Sequence, residues 1–257
     1  MASDPLPSIS ELRALAQPDS VLQRRSAEHW TGHLYMRRIS IYGTRLALRL
    51  GLSANSVTGL MIVAGLVAVG VVAVPGLWGA IAGALLIQLY LGLDCVDGEV
   101  ARVRGTEGAR GIYLDRLGHY LVEGGMLVAL GMRASDGALE PVVIGLLGAI
   151  GILLQKVETD LVAVARLGHG LGPVDDGAAQ MKAATLAKGR RIARIIPLHM
   201  ATHAAEASLL ILGAAIADEI RGDLIVTRIL LVGLAVIAVA MVALSLIAIL
   251  NSRRLDP

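Results

Sequence analysis

Long apolar runs, broken by short polar segments, occupy most of the chain. A helix needs about 20 apolar residues to cross the hydrocarbon core of a bilayer. Six stretches of the sequence meet that requirement: residues 55–74, 77–97, 112–132, 140–163, 195–217 and 224–250. Turn-forming residues separate neighbouring stretches, such as Pro75-Gly76 after the first. The pattern therefore predicts an all-α integral membrane protein with six transmembrane helices.

A mixed pattern precedes the first apolar run. Between Trp30 and Leu50, four arginines alternate with Leu, Ile, Tyr and Met. This mixture is typical of an amphipathic helix lying on an anionic membrane surface, with a short soluble helix as the alternative. We therefore expect a polar, partly flexible leader, an amphipathic juxtamembrane helix, a six-helix transmembrane domain and a short tail. Their predicted boundaries are residues 1–29, 30–54, 55–250 and 251–257.

Composition and charge agree with a membrane protein and favour one orientation. The chain is 55% hydrophobic and only 17% charged, which is too apolar for an ordinary soluble domain. Its net charge of +2 offers no basic field for nucleic acid. With the N-terminus inside, the only basic residues that face outward are Arg133, Arg221 and Arg228. Lys and Arg concentrate in cytoplasmic loops of membrane proteins, so this orientation is the favoured one. We expect a multi-pass protein of the cell (inner or plasma) membrane with both termini cytoplasmic.

Candidate chemistry is concentrated where the second and third predicted spans meet. Asp94 and Asp97 lie three residues apart on one helix, and Asp115 and His119 lie four apart on the next. A glycine-containing hairpin joins the two helices, so the four side chains should converge. Acidic residues at the edge of a membrane domain are functional candidates. Oxygen-rich ligands without a thiolate favour Mg²⁺, Mn²⁺ or Ca²⁺ over zinc. Simple capping of helix ends at the water interface is the alternative.

The same segment resembles a known enzyme signature. The pattern D-x2-D-G-x2-A-R-x8-G-x3-D-x3-H between Asp94 and His119 resembles the signature of the CDP-alcohol phosphotransferase family, in which the last residue is Asp. Every spacing is kept and only the last fixed residue differs. Residues 54–58, Ala-Asn-Ser-Val-Thr, resemble the family's P-N-x-[IV]-T entry to the first span, with Ala54 in place of proline. The resemblance extends over about residues 30–250.

The resemblance implies a function and a set of site residues. Family members transfer a phosphoryl-alcohol group from a CDP-alcohol, most often CDP-diacylglycerol, to a hydroxyl acceptor that is phosphorylated in some members, and release CMP. They serve phospholipid or related polar-lipid synthesis and form homodimers. One or two Mg²⁺ or Mn²⁺ ions would be held by Asp94, Asp97, Asp115 and His119. Gly98 would admit the nucleotide, Arg102 would contact phosphate, and the CDP pocket would be completed by Asn55, Ser56, Val57, Thr58 and Gly108.

His119 departs from the family pattern, where an acid is the general base and often a metal ligand. A neutral imidazole can perform either role near neutral pH, so we expect His119 to be the base, a ligand, or both. Glu123, one turn further, could orient the ring, supply the missing charge or act as the base itself. Two alternatives remain: a catalytically inactive member that binds nucleotide or acts as a scaffold, and a divalent-cation transporter that uses the same acids.

Overall fold

The computed structural model describes residues 7–18, 31–172 and 198–256 of the chain. Within these ranges the secondary structure is helical and contains no strand, which confirms the all-α prediction. A π-helical turn (Gly32–Met36) precedes α2, and a 3-10 turn (Leu198–Thr202) precedes α7. The α-helices are α1 (Ile9–Ala16), α2 (Arg37–Arg49), α3 (Ala54–Val72), α4 (Leu77–Arg104), α5 (Ala109–Ala134), α6 (Glu140–Gly168), α7 (Ala204–Arg221) and α8 (Ile225–Leu250).

Four of the described helices, α3, α4, α6 and α8, are long and apolar enough to cross a membrane. This agrees with a multi-pass membrane protein. The helices α5 and α7 occupy the third and fifth predicted spans, but they do not meet the same criterion of length and composition. In α5 the polar residues of the signature lower the hydropathy. The count of six spans stays a prediction, and residues 195–197 of the fifth lie outside the described ranges.

Interresidue contacts divide the chain into two compact units. The first comprises residues 1–68 and 85–122. In this unit α2 packs along α4 so closely that a Cβ atom at Gly43 would lie 2.9 Å from a methyl group of Val96. Ala47 of α2 and Val57 of α3 join Val96 in one buried cluster. The packing fixes α2 and α3 against the part of α4 that carries the signature.

The leader contains a helix that packs on its neighbours. At its start, Ser8 and Glu11 form a reciprocal capping box, and the hydrogen bonds from Ser8 lower the pKa of the Glu11 carboxyl. Leu12 and Ala16 are buried in a cluster with Ile41 of α2. Residues 9–16 of the expected flexible leader therefore form a docked helix, while residues 1–6 and 19–29 lie outside the described ranges.

The helix expected over residues 30–54 is present as the π-helical turn Gly32–Met36 followed directly by α2. The helix ends at Arg49, and Gly51 follows with a φ of +70°. The N–H groups of Gly51 and Leu52 donate to carbonyls of the last turn, which is a Schellman ending. The exposed side of α2 carries large apolar residues, among them Ile39 and Tyr42.

The second unit comprises residues 69–84 and 123–257 and is held together by close helix approach. A Cβ atom at Gly145 of α6 would lie 2.5 Å from the carbonyl oxygen of Leu127 in α5. Glycine at such a position allows two backbones to touch, as in other membrane helix pairs. Buried Arg133 donates to the carbonyls of Val74 at 2.7 Å and Gly76 at 2.6 Å, just beyond the end of α3. Carbonyl groups at and beyond a helix end have no hydrogen-bond partner within the helix, and Arg133 supplies one.

Candidate metal centre

A short turn brings the two halves of the signature together. Helix α4 ends at Arg104, and Gly105 follows with a φ of +61°. The N–H groups of Gly105 and Thr106 donate to the carbonyls of Arg102 and Ala101, at 3.2 and 3.0 Å. This Schellman ending requires a residue that tolerates the left-handed conformation, which glycine does at low cost. The predicted hairpin is therefore present, and α5 begins again at Ala109.

Three of the four predicted metal ligands meet at this hairpin. Nε2 of His119 lies 3.1 Å from Oδ1 of Asp94 and 3.4 Å from Oδ1 of Asp115. One ligand atom from each of the three residues lies within 4.8 Å of the other two. All three residues are partly buried. Two carboxylates and an imidazole at this separation are a suitable donor set for one divalent cation.

Asp97, the fourth predicted ligand, lies outside this group of three. Its carboxylate is nearly buried, and Oδ2 accepts a hydrogen bond of 2.7 Å from the hydroxyl of Thr58. The Thr58 hydroxyl also lies 3.1 Å from the carbonyl oxygen of Ala54, one turn earlier in α3. Thr58, expected to line the nucleotide pocket, thus contacts the signature directly. This contact ties the start of α3 to the middle of the signature.

The other residues expected at the nucleotide pocket lie in different surroundings. Oδ1 of Asn55 would be 3.7 Å from a Cβ atom at Gly111, so the start of α3 adjoins the start of α5. The N–H of Ser56 donates to Ser53 at 3.1 Å and thereby caps α3. The side chain of Val57 is buried in the apolar cluster with α2 and α4. A Cβ atom at Gly108 would have open space around it.

Arg102 folds back over the glycine of its own signature. A Cβ atom at Gly98 would lie 3.3 Å from Nη1 of Arg102. Because glycine has no side chain, the guanidinium fits against the helix there. Nε of Arg102 donates to the carbonyl oxygen of Ala16, at the end of α1, at 2.6 Å. Its Nη2 atom is buried and has no hydrogen-bond partner within the described residues. That group is the type of donor a phosphate oxygen can use.

Tyr90 is a site residue that the sequence reasoning missed. It is fully buried, and its hydroxyl lies 2.7 Å from Nδ1 of His119. The two rings meet edge to face, with centroids 5.7 Å apart. A signal was present in the sequence, because Tyr90 precedes Asp94 by four residues and therefore lies on the same face of α4.

Glu99 is the second residue that the reasoning missed. It is fully buried, and its two carboxylate oxygens accept hydrogen bonds from α2 and from the residue that follows α1. The donors are Ser40 at 2.5 Å, Thr44 at 2.6 Å, Gln17 at 2.8 Å and Arg37 at 3.3 Å. The sequence carried a signal for a buried role, because Glu99 is an acid at a variable position of the signature, between Gly98 and Val100. The contacts link the leader and α2 to the helix that carries Asp94 and Asp97.

Glu123, considered above as a partner of His119, has a basic partner. In the second unit its carboxylate lies 3.0 Å from Nζ of Lys156, and both side chains are largely buried. An ion pair of this kind satisfies two charges that would be costly inside a membrane domain. The carboxylate of Glu123 is therefore held by Lys156.

No protein-family model matches this chain, and no curated protein matches it significantly. The resemblance to the CDP-alcohol phosphotransferases therefore depends on the residues of the signature and on their arrangement.

Proposed function

We propose that this protein is a metal-dependent CDP-alcohol phosphotransferase, which transfers a phosphoryl-alcohol group to a hydroxyl acceptor and releases CMP. The observation that carries the proposal is the grouping of Asp94, Asp115 and His119 within 4.8 Å. These residues are three of the four acid-or-histidine positions of a signature whose spacings are all kept. If these three residues only capped helix ends, there would be no reason for them to keep the spacing of the signature.

Each part of the site has a role in this reaction. The three grouped side chains would hold a divalent cation, with Asp97 beside them as a further acid. Bound Mg²⁺ or Mn²⁺ would neutralise the diphosphate of the donor and stabilise the leaving phosphate of CMP. Arg102 would meet the phosphate charge, as the resemblance implies. Asn55 and Gly108 adjoin the hairpin, where the rest of the nucleotide would lie.

The transfer itself breaks one phosphorus–oxygen bond and forms another. The hydroxyl oxygen of the acceptor attacks the β-phosphorus, and the bond from that phosphorus to the bridging oxygen breaks as CMP leaves. The hydroxyl proton passes to a basic group of the cluster. Catalysis of this kind depends mainly on positioning and on neutralising charge, for which a hairpin of two helices is well suited.

The finer features belong to the same proposal. They are six spans with both termini and the site on the cytoplasmic side of the cell membrane, and a homodimer. Of a lipid and a soluble CDP-alcohol, we propose CDP-diacylglycerol as the donor, because an enzyme within the membrane can take a lipid directly from the bilayer. The apolar exposed side of α2, with Ile39 and Tyr42, is suited to contact with lipid near the site.

Nucleotide binding and CMP release by the purified full-length protein test the proposal. We expect CDP and CMP to bind only with Mg²⁺ or Mn²⁺, and Asp94→Asn to reduce that binding at least tenfold. Asp136→Asn is a matched control, because Asp136 is an exposed acid in the loop after α5. With CDP-diacylglycerol and a panel of hydroxyl acceptors, CMP should be released by the wild type and not by Asp94→Asn.

Two results would contradict the proposal and separate its rivals. Absence of cytidine-nucleotide binding with any divalent ion would exclude the transferase and lead to ion-flux measurements in vesicles. Metal-dependent binding without CMP release for any acceptor would instead support the inactive, nucleotide-binding alternative.

A further inference from the structure

We infer that His119 is a metal ligand through Nε2, that the hydroxyl of Tyr90 positions it, and that the site prefers Mn²⁺ to Mg²⁺. The inference rests on the proposed function for the presence of a divalent ion. It goes further, because it assigns the coordinating nitrogen of His119 and names a positioning residue outside the signature. It also selects between the two cations that the sequence leaves open.

The contacts of the imidazole ring assign its two nitrogens. Nδ1 faces the hydroxyl of Tyr90 at 2.7 Å, on a side chain that is fully buried. Nε2 faces the carboxylates of Asp94 and Asp115, at 3.1 and 3.4 Å. A cation held by the two carboxylates would therefore meet Nε2 in the same small space. The ring is turned so that its second nitrogen completes the donor set.

The same contacts disfavour His119 as the general base. A base must direct a lone pair at the hydroxyl of the acceptor, within hydrogen-bond reach. Nδ1 is directed at the buried Tyr90, where the hydroxyl substrate cannot enter. Nε2 is directed at the carboxylates of Asp94 and Asp115. With a cation bound there, the lone pair of Nε2 is engaged by the metal. Proton acceptance is thereby left to a carboxylate of the cluster.

Tyr90 supplies the orienting contact that metal-bound histidines generally need. For Nε2 to offer its lone pair, the ring proton must lie on Nδ1 and be donated to the oxygen of Tyr90. The edge-to-face contact of the two rings restricts the imidazole further. Loss of such an outer hydrogen bond typically costs about 10- to 100-fold in metal affinity. Tyr90 is therefore a positioning residue, acting through His119.

The ligand atoms, two carboxylates and one imidazole, determine whether the site prefers Mg²⁺ or Mn²⁺. Mg²⁺ prefers oxygen ligands and strict octahedral geometry, whereas imidazole nitrogen favours transition-metal ions. Mn²⁺ accepts both carboxylate and imidazole. Histidine in place of the signature's last acid exchanges an oxygen donor for a nitrogen donor, which Mg²⁺ accepts less readily than Mn²⁺. The ratio of the affinity for Mn²⁺ to the affinity for Mg²⁺ should therefore be higher in this chain than in a variant that restores the acid.

Pulsed electron paramagnetic resonance of bound Mn²⁺ tests the ligand directly, without any activity measurement. The wild-type protein in detergent, loaded with one equivalent of Mn²⁺, should show coupling to a directly coordinated ¹⁴N nucleus. The coupling should disappear in His119→Asp and remain in His169→Gln, a control at an exposed histidine after α6. Absence of nitrogen coupling in Mn²⁺-loaded wild type, or its survival in His119→Asp, would overturn the inference.

Metal titrations test the positioning role and the preference. Tyr90→Phe should weaken Mn²⁺ binding by about 10- to 100-fold, while Tyr42→Phe, an exposed tyrosine of α2, should leave it unchanged. His119→Asp should raise the affinity for Mg²⁺ relative to Mn²⁺ by at least tenfold. Wild-type Mn²⁺ affinity in Tyr90→Phe, or an unchanged ion ratio in His119→Asp, would contradict the inference.

The two proposals can fail separately. If nitrogen coupling is absent but CDP still binds with a divalent ion, the role of His119 is wrong and the transferase stands. If nitrogen coupling is present but no cytidine nucleotide binds with any ion, the metal site stands and the transferase is wrong.

Discussion

Replacing Glu99 by leucine tests how firmly the leader is held against the signature helix. Glu99 is fully buried in α4 and accepts hydrogen bonds from Gln17, Ser40, Thr44 and Arg37. Leucine has a similar volume, so the change removes the acceptor without opening a large cavity. The donors of α2 and of the segment after α1 then remain in the interior without their shared partner.

The expected cost can be worked out from these contacts. Removing one member of a buried charged pair costs about 3–5 kcal/mol, because the remaining groups lose their partner away from water. We expect the lower end here. Gln17 keeps a bond of 2.8 Å to the carbonyl of Arg37, and the Arg37 side chain is 17% exposed and retains some water. A cost of about 3 kcal/mol corresponds to roughly a 100-fold change in an opening equilibrium.

The only cysteine of the chain provides the assay. Cys95 is buried in α4, one turn before Glu99 and on the same face, so separation of α2 from α4 should expose its thiol. The rate of reaction with a thiol-specific fluorophore reports the open fraction when closing is fast. For the full-length protein in detergent, Glu99→Leu should raise this rate about 100-fold at fixed temperature.

Two comparisons make the result decisive. Glu107→Leu changes an exposed acid of the neighbouring turn and should shift the rate by no more than about twofold. Adding Ser40→Ala and Thr44→Val to Glu99→Leu should recover part of the loss, because two stranded donors are removed together with their acceptor. A rate for Glu99→Leu within threefold of the wild type would refute the reasoning.

Three further substitutions probe the helix endings and contacts by the same thiol labelling or by thermal unfolding. Gly105→Ala should cost about 1 kcal/mol, because alanine is strained in the left-handed conformation, whereas Gly108→Ala, in open space, should be neutral. Gly145→Ala should cost more than about 2 kcal/mol, because its Cβ would lie 2.5 Å from the Leu127 carbonyl; an unchanged unfolding temperature would contradict this contact. Arg133→Leu should cost about 3 kcal/mol by leaving several carbonyls unsatisfied, and wild-type stability would show that water replaces the guanidinium.

Local pattern predicted most of the helices, but not every boundary. Apolar runs and turn residues placed the starts of α3, α4, α6 and α8 within one residue, since hydropathy and turn chemistry depend on neighbouring positions. However, α4 continues to Arg104 and α6 to Gly168, beyond their predicted ends at residues 97 and 163. The end of α2 at Arg49 was missed, although Gly51 two residues later was a signal for it, and its φ is positive in the structure. The helix in the leader was missed as well, because eight residues form a stable helix only when packed against neighbours.

The sequence by itself determined the helical class, the pairing of Asp115 with His119 and the turn that returns the chain beside Asp94, because i,i+4 spacing and a glycine turn are local properties. Tertiary structure decided which partner each side chain takes. An α-helix turns about 100° per residue, so Asp97 is rotated about 60° from Asp94 and faces Thr58 of α3. Likewise, no local rule pairs Glu99 with Gln17, 82 residues away. Such pairings depend on how the helices pack, which the one-dimensional pattern does not encode.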